Sequence, residues 1–250
     1  MSGHSKWHSI KHKKGAADKA RGKLFAKLIK QIEVAARDGG ADQEGNPTLR
    51  AMVQKARDNS VPADTIDRAV KRGTGDLEGV RYEPASYEGY AAGGVAVYVE
   101  CLTDNRNRTG QEVKNIFVRN GGSLAEPGAV AWQFERKGVV LVEKRDATED
   151  DLMLAALDAG AEDIVDEGDT WRVTTAPTDL HAVRSAIESA SIPFTSADLT
   201  MLPTQTVPLE DEATARGVVR LIDSLEDHDD IQAVYANFDI PDDVLQAVVA

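Results

Sequence analysis

Apolar residues Leu24, Phe25, Leu28, Ile29, Ile32 and Ala36 recur at steps of three and four. The spacing predicts a helix over 16–37 with one buried face. Lys19, Lys23, Lys27, Lys30 and Arg37 recur at the same steps. At about 100° per residue they fall nearly opposite the apolar face. Gly39-Gly40 ends this helix, and Asn46 and Pro47 supply cap and first turn for a second. Its inner face is Leu49, Met52, Val53 and Ala56. Val61-Pro62 breaks the pattern, and a third helix runs over about 63–72 with Ile66, Ala69 and Val70 inward, ending at Gly73-Thr74-Gly75. Three short amphipathic helices with short links predict a small helical domain.

From about residue 82 the period changes. A strand over 94–102, a polar loop over 103–109, a helix over 110–119 and a strand over 130–135 make one β-α-β unit. A second series follows: strand 139–143, helix 148–159, a hairpin of strands 163–165 and 170–175, helix 178–190 and strand 194–202. That order is β-α-β-β-α-β, the ferredoxin-like unit. An extended piece at 206–209, a helix over 210–225, a strand over 231–238 and a helix over 241–249 close the chain. The unit at 94–135 needs a partner to complete its sheet, and 205–238 can supply it. The reading is therefore α+β. A basic arm and helical domain occupy 1–78, a discontinuous α/β domain 79–135 and 204–250, and an inserted ferredoxin-like domain 136–203.

Charge changes the picture most. The first thirty-seven residues hold ten Lys or Arg against two acids, a net +8, in a chain whose total is −13. Everything beyond Arg37 therefore sums to −21. Such segregation sends one end toward polyanions and keeps the remainder away from them. Residues 1–15 are basic, carry Gly3 and Gly15, and have only Trp7 and Ile10 as large apolar groups, so they read as a mobile arm. Opposite charges usually alternate along a solvated helix face; here only Asp18 and Glu33 interrupt the basic set. A row of cations on the first helix, continued by the arm, predicts polyanion binding.

Other candidates are weaker. One cysteine, Cys101, within the apolar run 95–102, excludes an internal disulfide and suits a reducing cytoplasm. No run of about eighteen apolar residues occurs, so no membrane partner is expected. His4, His8 and His12 stand four apart without a carboxylate or thiol among them and read as polar arm residues, so no metal or cofactor is expected. The acidic run 226–230 lacks calcium-loop spacing and reads as a solvated turn, or else as a contact surface for a protein. No nucleophile–base pair stands out, which argues against an enzyme. The loop 103–109 (TDNRNRT) lies between a strand end and a helix start, where an anion is favoured. Two readings of it stand. Arg106 and Arg108 fork onto phosphate, or they pair with Asp104 and neighbouring acids. Trp7 either stacks on a base or pins the arm to the helical domain.

Several motifs carry a resemblance. They are Gly3-His-Ser-Lys-Trp7, Ile10-Lys-His-Lys-Lys14, Arg21-Gly-Lys23, Arg72-Gly-Thr-Gly75, Tyr87-Glu-Gly-Tyr90, Leu102-Thr-Asp-Asn-Arg-Asn-Arg-Thr109 and Asp229-Asp-Ile-Gln232. Together they resemble the YebC family along the whole chain. His8 and Ala91-Ala92 depart from its usual residues. The resemblance implies three domains with the last inserted in the middle one, and a label of DNA-binding transcriptional regulator. Mitochondrial relatives activate translation of a cytochrome c oxidase subunit, and bacterial members are also linked to the ribosome. No catalytic residues are implied.

The expectation is a cytoplasmic, non-enzymatic nucleic-acid binder. Lys6, Lys11, Lys13, Lys14, Lys19, Lys23, Lys27, Lys30, Arg106 and Arg108 would contact phosphates. The alternative is a ribosome-associated translation factor on rRNA or tRNA. A phosphate-handling enzyme built on Arg106 and Arg108 is a distant third.

Overall fold

A computed structural model describes residues 17–241 together with 244, 247 and 248, with side chains from residue 21 onward. The first unit is three helices: α1 (Ala17–Gly39), α2 (Pro47–Asp58) and α3 (Ala63–Thr74). Leu28, Ile32 and Ala36 of α1 close on Leu49, Val53 and Ala56 of α2 and on Ile66 and Ala69 of α3, all buried. Asn46 does more than cap α2. Its Oδ1 accepts from Leu49 N–H at 3.0 Å, while its Nδ2 donates to Ala35 O at 2.8 Å and Gly40 O at 2.9 Å. One buried amide thereby fastens the end of α1 to the start of α2, satisfying groups that helix ends otherwise leave open. Gly73 permits the crossing of α3 over α1, because any side chain there would run into Glu33 O and the Ala36 Cβ.

The middle unit is a four-stranded antiparallel sheet. Its strands are β1 (Glu83–Tyr90), β2 (Ala96–Thr103), β3 (Ser123–Ala125) and β9 (Ile231–Ala236), in the order β3-β1-β2-β9. Helices α4 (Arg106–Arg119) and α7 (Glu212–Glu226) cover one face. There Val97, Val99 and Cys101 pack with Val113, Phe117, Val218, Leu221, Ile222 and Leu225. A two-strand parallel pair, β8 (Val207–Pro208) with β10 (Phe238–Asp239), borders it.

The inserted unit runs β4 (Phe134–Glu143), α5 (Glu149–Ala156), β5 (Ala161–Asp166), β6 (Thr170–Thr175), α6 (Leu180–Ser189), β7 (Ser196–Pro203). Its antiparallel sheet has the order β5-β6-β4-β7. This is the expected ferredoxin-like arrangement, with Leu152, Ala156, Val183 and Ile187 of the two helices packed on Val140, Val142 and Val173. The molecule is thus α+β, an N-terminal helical domain followed by two α/β domains.

Three expectations need correction. The strands read at 130–135 and 139–143 are one strand, β4, in the inserted sheet; 131–133 is a short 3-10 turn. Gly138 looks like a breaker in sequence, but it admits α6. A Cβ there would sit 2.6 Å from Thr175 Cγ2 and 2.9 Å from Leu180 Cβ. The middle sheet is completed instead by β1, which periodicity did not announce. Its inward positions Ala85, Tyr87 and Gly89 include a glycine, because a Cβ at Gly89 would lie 2.6 Å from the Phe117 ring. The polar loop 103–109 is mostly helix, since α4 begins at Arg106 with Asn105 as its cap, accepting from Arg108 N–H at 3.1 Å. The closing helix expected at 241–249 lies largely outside the described residues.

Two ion pairs join the helical unit to the inserted one: Lys55 Nζ to Asp198 at 2.8 Å and Arg184 Nη1 to Asp58 at 3.2 Å. Glu88 on β1 is 6% exposed and accepts from the N–H groups of Gly128, Val130 and Ala131 at 2.7, 2.7 and 2.9 Å. Burial opposes its charge, but the three amides outweigh burial and hold its carboxyl below the usual range. That carboxylate clamps the segment leading from the middle sheet into β4.

Candidate nucleic-acid interface

The arm residues Lys6, Lys11, Lys13 and Lys14 lie outside the described residues, as do His4, Trp7, His8 and His12. Lys19 sits in the first turn of α1, and its side chain lies outside the described ones. The remaining cations of the α1 row are not bare. Lys23 donates to Asp227 O at 2.8 Å and pairs with the Asp227 carboxylate. Lys27 donates to Glu226 O at 2.7 Å, and Lys30 to Asp229 O at 3.0 Å. The acceptors are the final carbonyls of α7 and the turn after it. Unpaired C-terminal carbonyls and the helix dipole both favour ammonium groups there. Three lysines at four- and three-residue spacing on α1 therefore meet one helix end.

Asp230 is the hub of this seam. Its carboxylate is 7% exposed and takes Lys30 at 3.0 Å, Arg108 at 2.6 Å and the Thr109 hydroxyl at 2.8 Å. Its backbone carbonyl accepts from Leu102 N–H at 2.8 Å, fixing it against the end of β2. Burial pushes its pKa up, but hydrogen bonds from Arg108, Lys30 and Thr109 prevail and bring it down to about 2. Arg108 also pairs with Asp104 at 2.9 Å. Arg106 lies on the outer side, donating to Pro84 O at 2.8 Å and facing Glu83 at 3.4 Å. Of the two readings of the loop, these contacts are those of arginines paired with neighbouring acids and carbonyls.

The acidic run 226–230 is thus a contact surface for the molecule's own α1, and Asp230 is buried rather than solvated. Composition hid this, since five polar residues in a row look like a turn. The available signal was the motif Asp229-Asp230-Ile231-Gln232, which places one acid directly before an apolar strand.

Glu112, His228 and Asp230 present ligand atoms within 4.8 Å of one another. Those atoms are already engaged. His228 Nε2 lies 2.9 Å from Glu112, His228 Nδ1 accepts from Asp230 N–H at 3.1 Å, and both Asp230 oxygens hold cations or a hydroxyl. Two neighbouring cations further disfavour a metal ion. Cys101 is buried, and burial first, then the charge of Asp230, lifts its thiol to about 12, so it is not a nucleophile at neutral pH.

Among the described residues no helix is long and apolar enough to cross a membrane. A sequence model of the TACO1/YebC N-terminal domain matches residues 5–76, and one of the TACO1/YebC second and third domains matches 82–238. A protein of Halothermothrix orenii is 53% identical over 99% of both chains, and one of Acidothermus cellulolyticus is 57% identical over 99% of this chain and all of its own. Both are named "Probable transcriptional regulatory protein". The crystal structure of a conserved hypothetical protein from Aquifex aeolicus superposes with a TM-score of 0.82 at 44% identity, covering 92% of this chain and 94% of that one.

Proposed function

The chain belongs to the TACO1/YebC family, and from that premise we propose that it is a non-enzymatic, nucleic-acid-binding regulator of gene expression acting in the cytoplasm. The names of its relatives favour a role in transcription, and DNA is the ligand of this proposal. The observation that carries the reading is the segregation of charge, +8 in the first thirty-seven residues against −21 beyond them. Lys6, Lys11, Lys13, Lys14 and Lys19 are the phosphate contacts of this proposal. Lys23, Lys27, Lys30 and Arg108 join them only where the seam with residues 226–230 opens; Arg106 stays at the rim.

The test is binding to duplex DNA as a function of salt. Five engaged cations give a slope of log affinity on log salt of about −4.5 on B-DNA and about −3.5 on a single strand. Reversing Lys11, Lys13 and Lys14 to Glu weakens all sequences alike and flattens the slope. Binding indifferent to both salt and these changes overturns the assignment of the arm.

A second reading is a ribosome-associated translation factor holding rRNA or tRNA. It is favoured by the acidic body, which repels the flanks of a long duplex and leaves only a short basic segment to insert between phosphates. Sedimentation separates the two readings. Absence from every ribosomal fraction at gentle salt removes the second.

A further inference from the structure

A second cationic feature lies beside the seam, at the far end of α1. Between the last turns of α1, the end of α3 and the segment leading into β1 is a pocket of about 380 Å³. Arg37, Arg72 and Arg81, one from each of those segments, line it, beside Val34, Val80, Tyr82 and one carboxylate, Glu33. We propose that this pocket takes one nucleotide, with its phosphate on the guanidinium groups and its base against Val34, Val80 and Tyr82. The inference rests on the nucleic-acid reading and names the part of the ligand that is gripped individually.

The three arginines differ in how much of their donor capacity is used. Arg72 gives its Nε to Glu33 at 2.6 Å and its Nη2 to the same oxygen, leaving Nη1 without a partner among the described residues. Arg37 gives Nε to Asp38 at 2.9 Å and Nη1 to Tyr82 O, leaving Nη2. Arg81 is exposed and has no partner among the described residues. Glu33 is therefore spent on Arg72, Asp38 faces Arg37, and the third charge is unbalanced. A guanidinium held by one partner and still offering N–H donors is ready for a phosphate, because its geometry is fixed before the ligand arrives. Lys30, already paired with Asp230, lies with its ammonium 5.0 Å from the centre of the Tyr82 ring and adds no unbalanced charge to the pocket.

The walls give the base its place. Val80 is 53% exposed although it belongs to no core cluster among the described residues. An exposed valine and a tyrosine beside three guanidiniums form the mixed surface that a nucleobase and its phosphate need together. The volume sits at the small end of the roughly 300–1,000 Å³ of ligand pockets, which suits one nucleotide and not two.

The test uses the full chain with four probes: AMP, a ribotrinucleotide with a 5′-phosphate, the same trinucleotide without it, and inorganic phosphate, with affinity read by calorimetry. AMP and the phosphorylated trinucleotide are expected to bind and phosphate to compete poorly. Binding of AMP as tight as the trinucleotide identifies a free nucleotide as ligand; binding of the trinucleotide alone identifies a nucleotide within a strand. Arg81→Ala and Arg37→Gln are each expected to weaken binding about tenfold. Arg81 has no described partner, so its variant keeps the wild-type melting curve. The triple reversal of Lys11, Lys13 and Lys14 is expected to leave AMP affinity within about twofold while flattening the salt slope on duplex DNA. Failure of both AMP and the trinucleotide, equal competition by phosphate, or wild-type affinity in both arginine variants overturns the pocket. The arm's salt slope then still stands or falls on its own.

Discussion

Two cationic regions of the same helical unit meet opposite fates. Along one side of α1, Lys23, Lys27 and Lys30 are matched by the carbonyls and carboxylates of residues 226–230, and Arg108 reinforces the match from across the seam. At its far end, Arg37, Arg72 and Arg81 border a pocket with N–H groups to spare. Both regions look alike as residue counts. What separates them is whether an acidic turn arrives from elsewhere in the chain, and that is a property of topology: β9 pairs with β2 and delivers Asp230 to the lysines. Positive charge in a sequence measures supply, while exposure after folding measures what a ligand can use.

The contrast can be broken most sharply at Asp230. Asp230→Ala leaves Lys30 and Arg108 facing each other without their shared counter-charge. It is expected to cost about 3 kcal/mol in urea unfolding. A loss under about 1 kcal/mol would mean that the seam is held by the helix-end carbonyls alone. Acid acts on the same group more gently. Asp230 has its pKa lowered from 3.8 to about 2, so its contribution is complete above the unfolded value and is lost as pH falls through the folded one. That contribution is roughly 2 kcal/mol. Stability followed by denaturation should therefore be insensitive to this group from pH 8 to 5 and decline between about pH 4 and 2, with a shallower decline in Asp230→Asn, where Glu88 and other carboxylates of lowered pKa still titrate.

Smaller effects sharpen the comparison. Asp227→Lys reverses a largely exposed partner of Lys23, 70% exposed in its side chain. It should change stability by less than about 1 kcal/mol, yet release a cation and raise duplex affinity, seen as a steeper salt slope. An unchanged slope would show that Lys23 stays committed to the backbone carbonyl of Asp227. Arg81→Ala should change stability by under about 0.5 kcal/mol, since a surface side chain without a partner is removed; a larger drop in melting temperature would reveal a structural role for it.

Much of this arrangement is legible from periodicity. The three helices of the first unit and the β-α-β-β-α-β order of the inserted one follow from runs such as Leu28, Ile32 and Ala36, or Val140 and Val142, whose spacing matches the element that buries them. β1 is illegible because its inward side is Ala85, Tyr87 and Gly89, two of them small, with Gly89 making room for the Phe117 ring, so no apolar alternation forms. Gly138 splits β4 in the sequence pattern, a glycine demanded by a helix some forty residues onward. The cationic row was legible as a set of residues, but its partners were not. Lys30 and Asp230 are two hundred positions apart, and nothing local to either one indicates the other.

The ion pairs from α2 to the inserted unit carry a mechanical consequence. Lys55 with Asp198 and Arg184 with Asp58 tie the first body to the third. The lysine seam ties the first to the second, and the continuous chain ties the second to the third. Both pairs are partly exposed, and each contributes under about 1 kcal/mol. The first body therefore touches both others, and displacing α1 from the acidic turn also loads the attachments of α2.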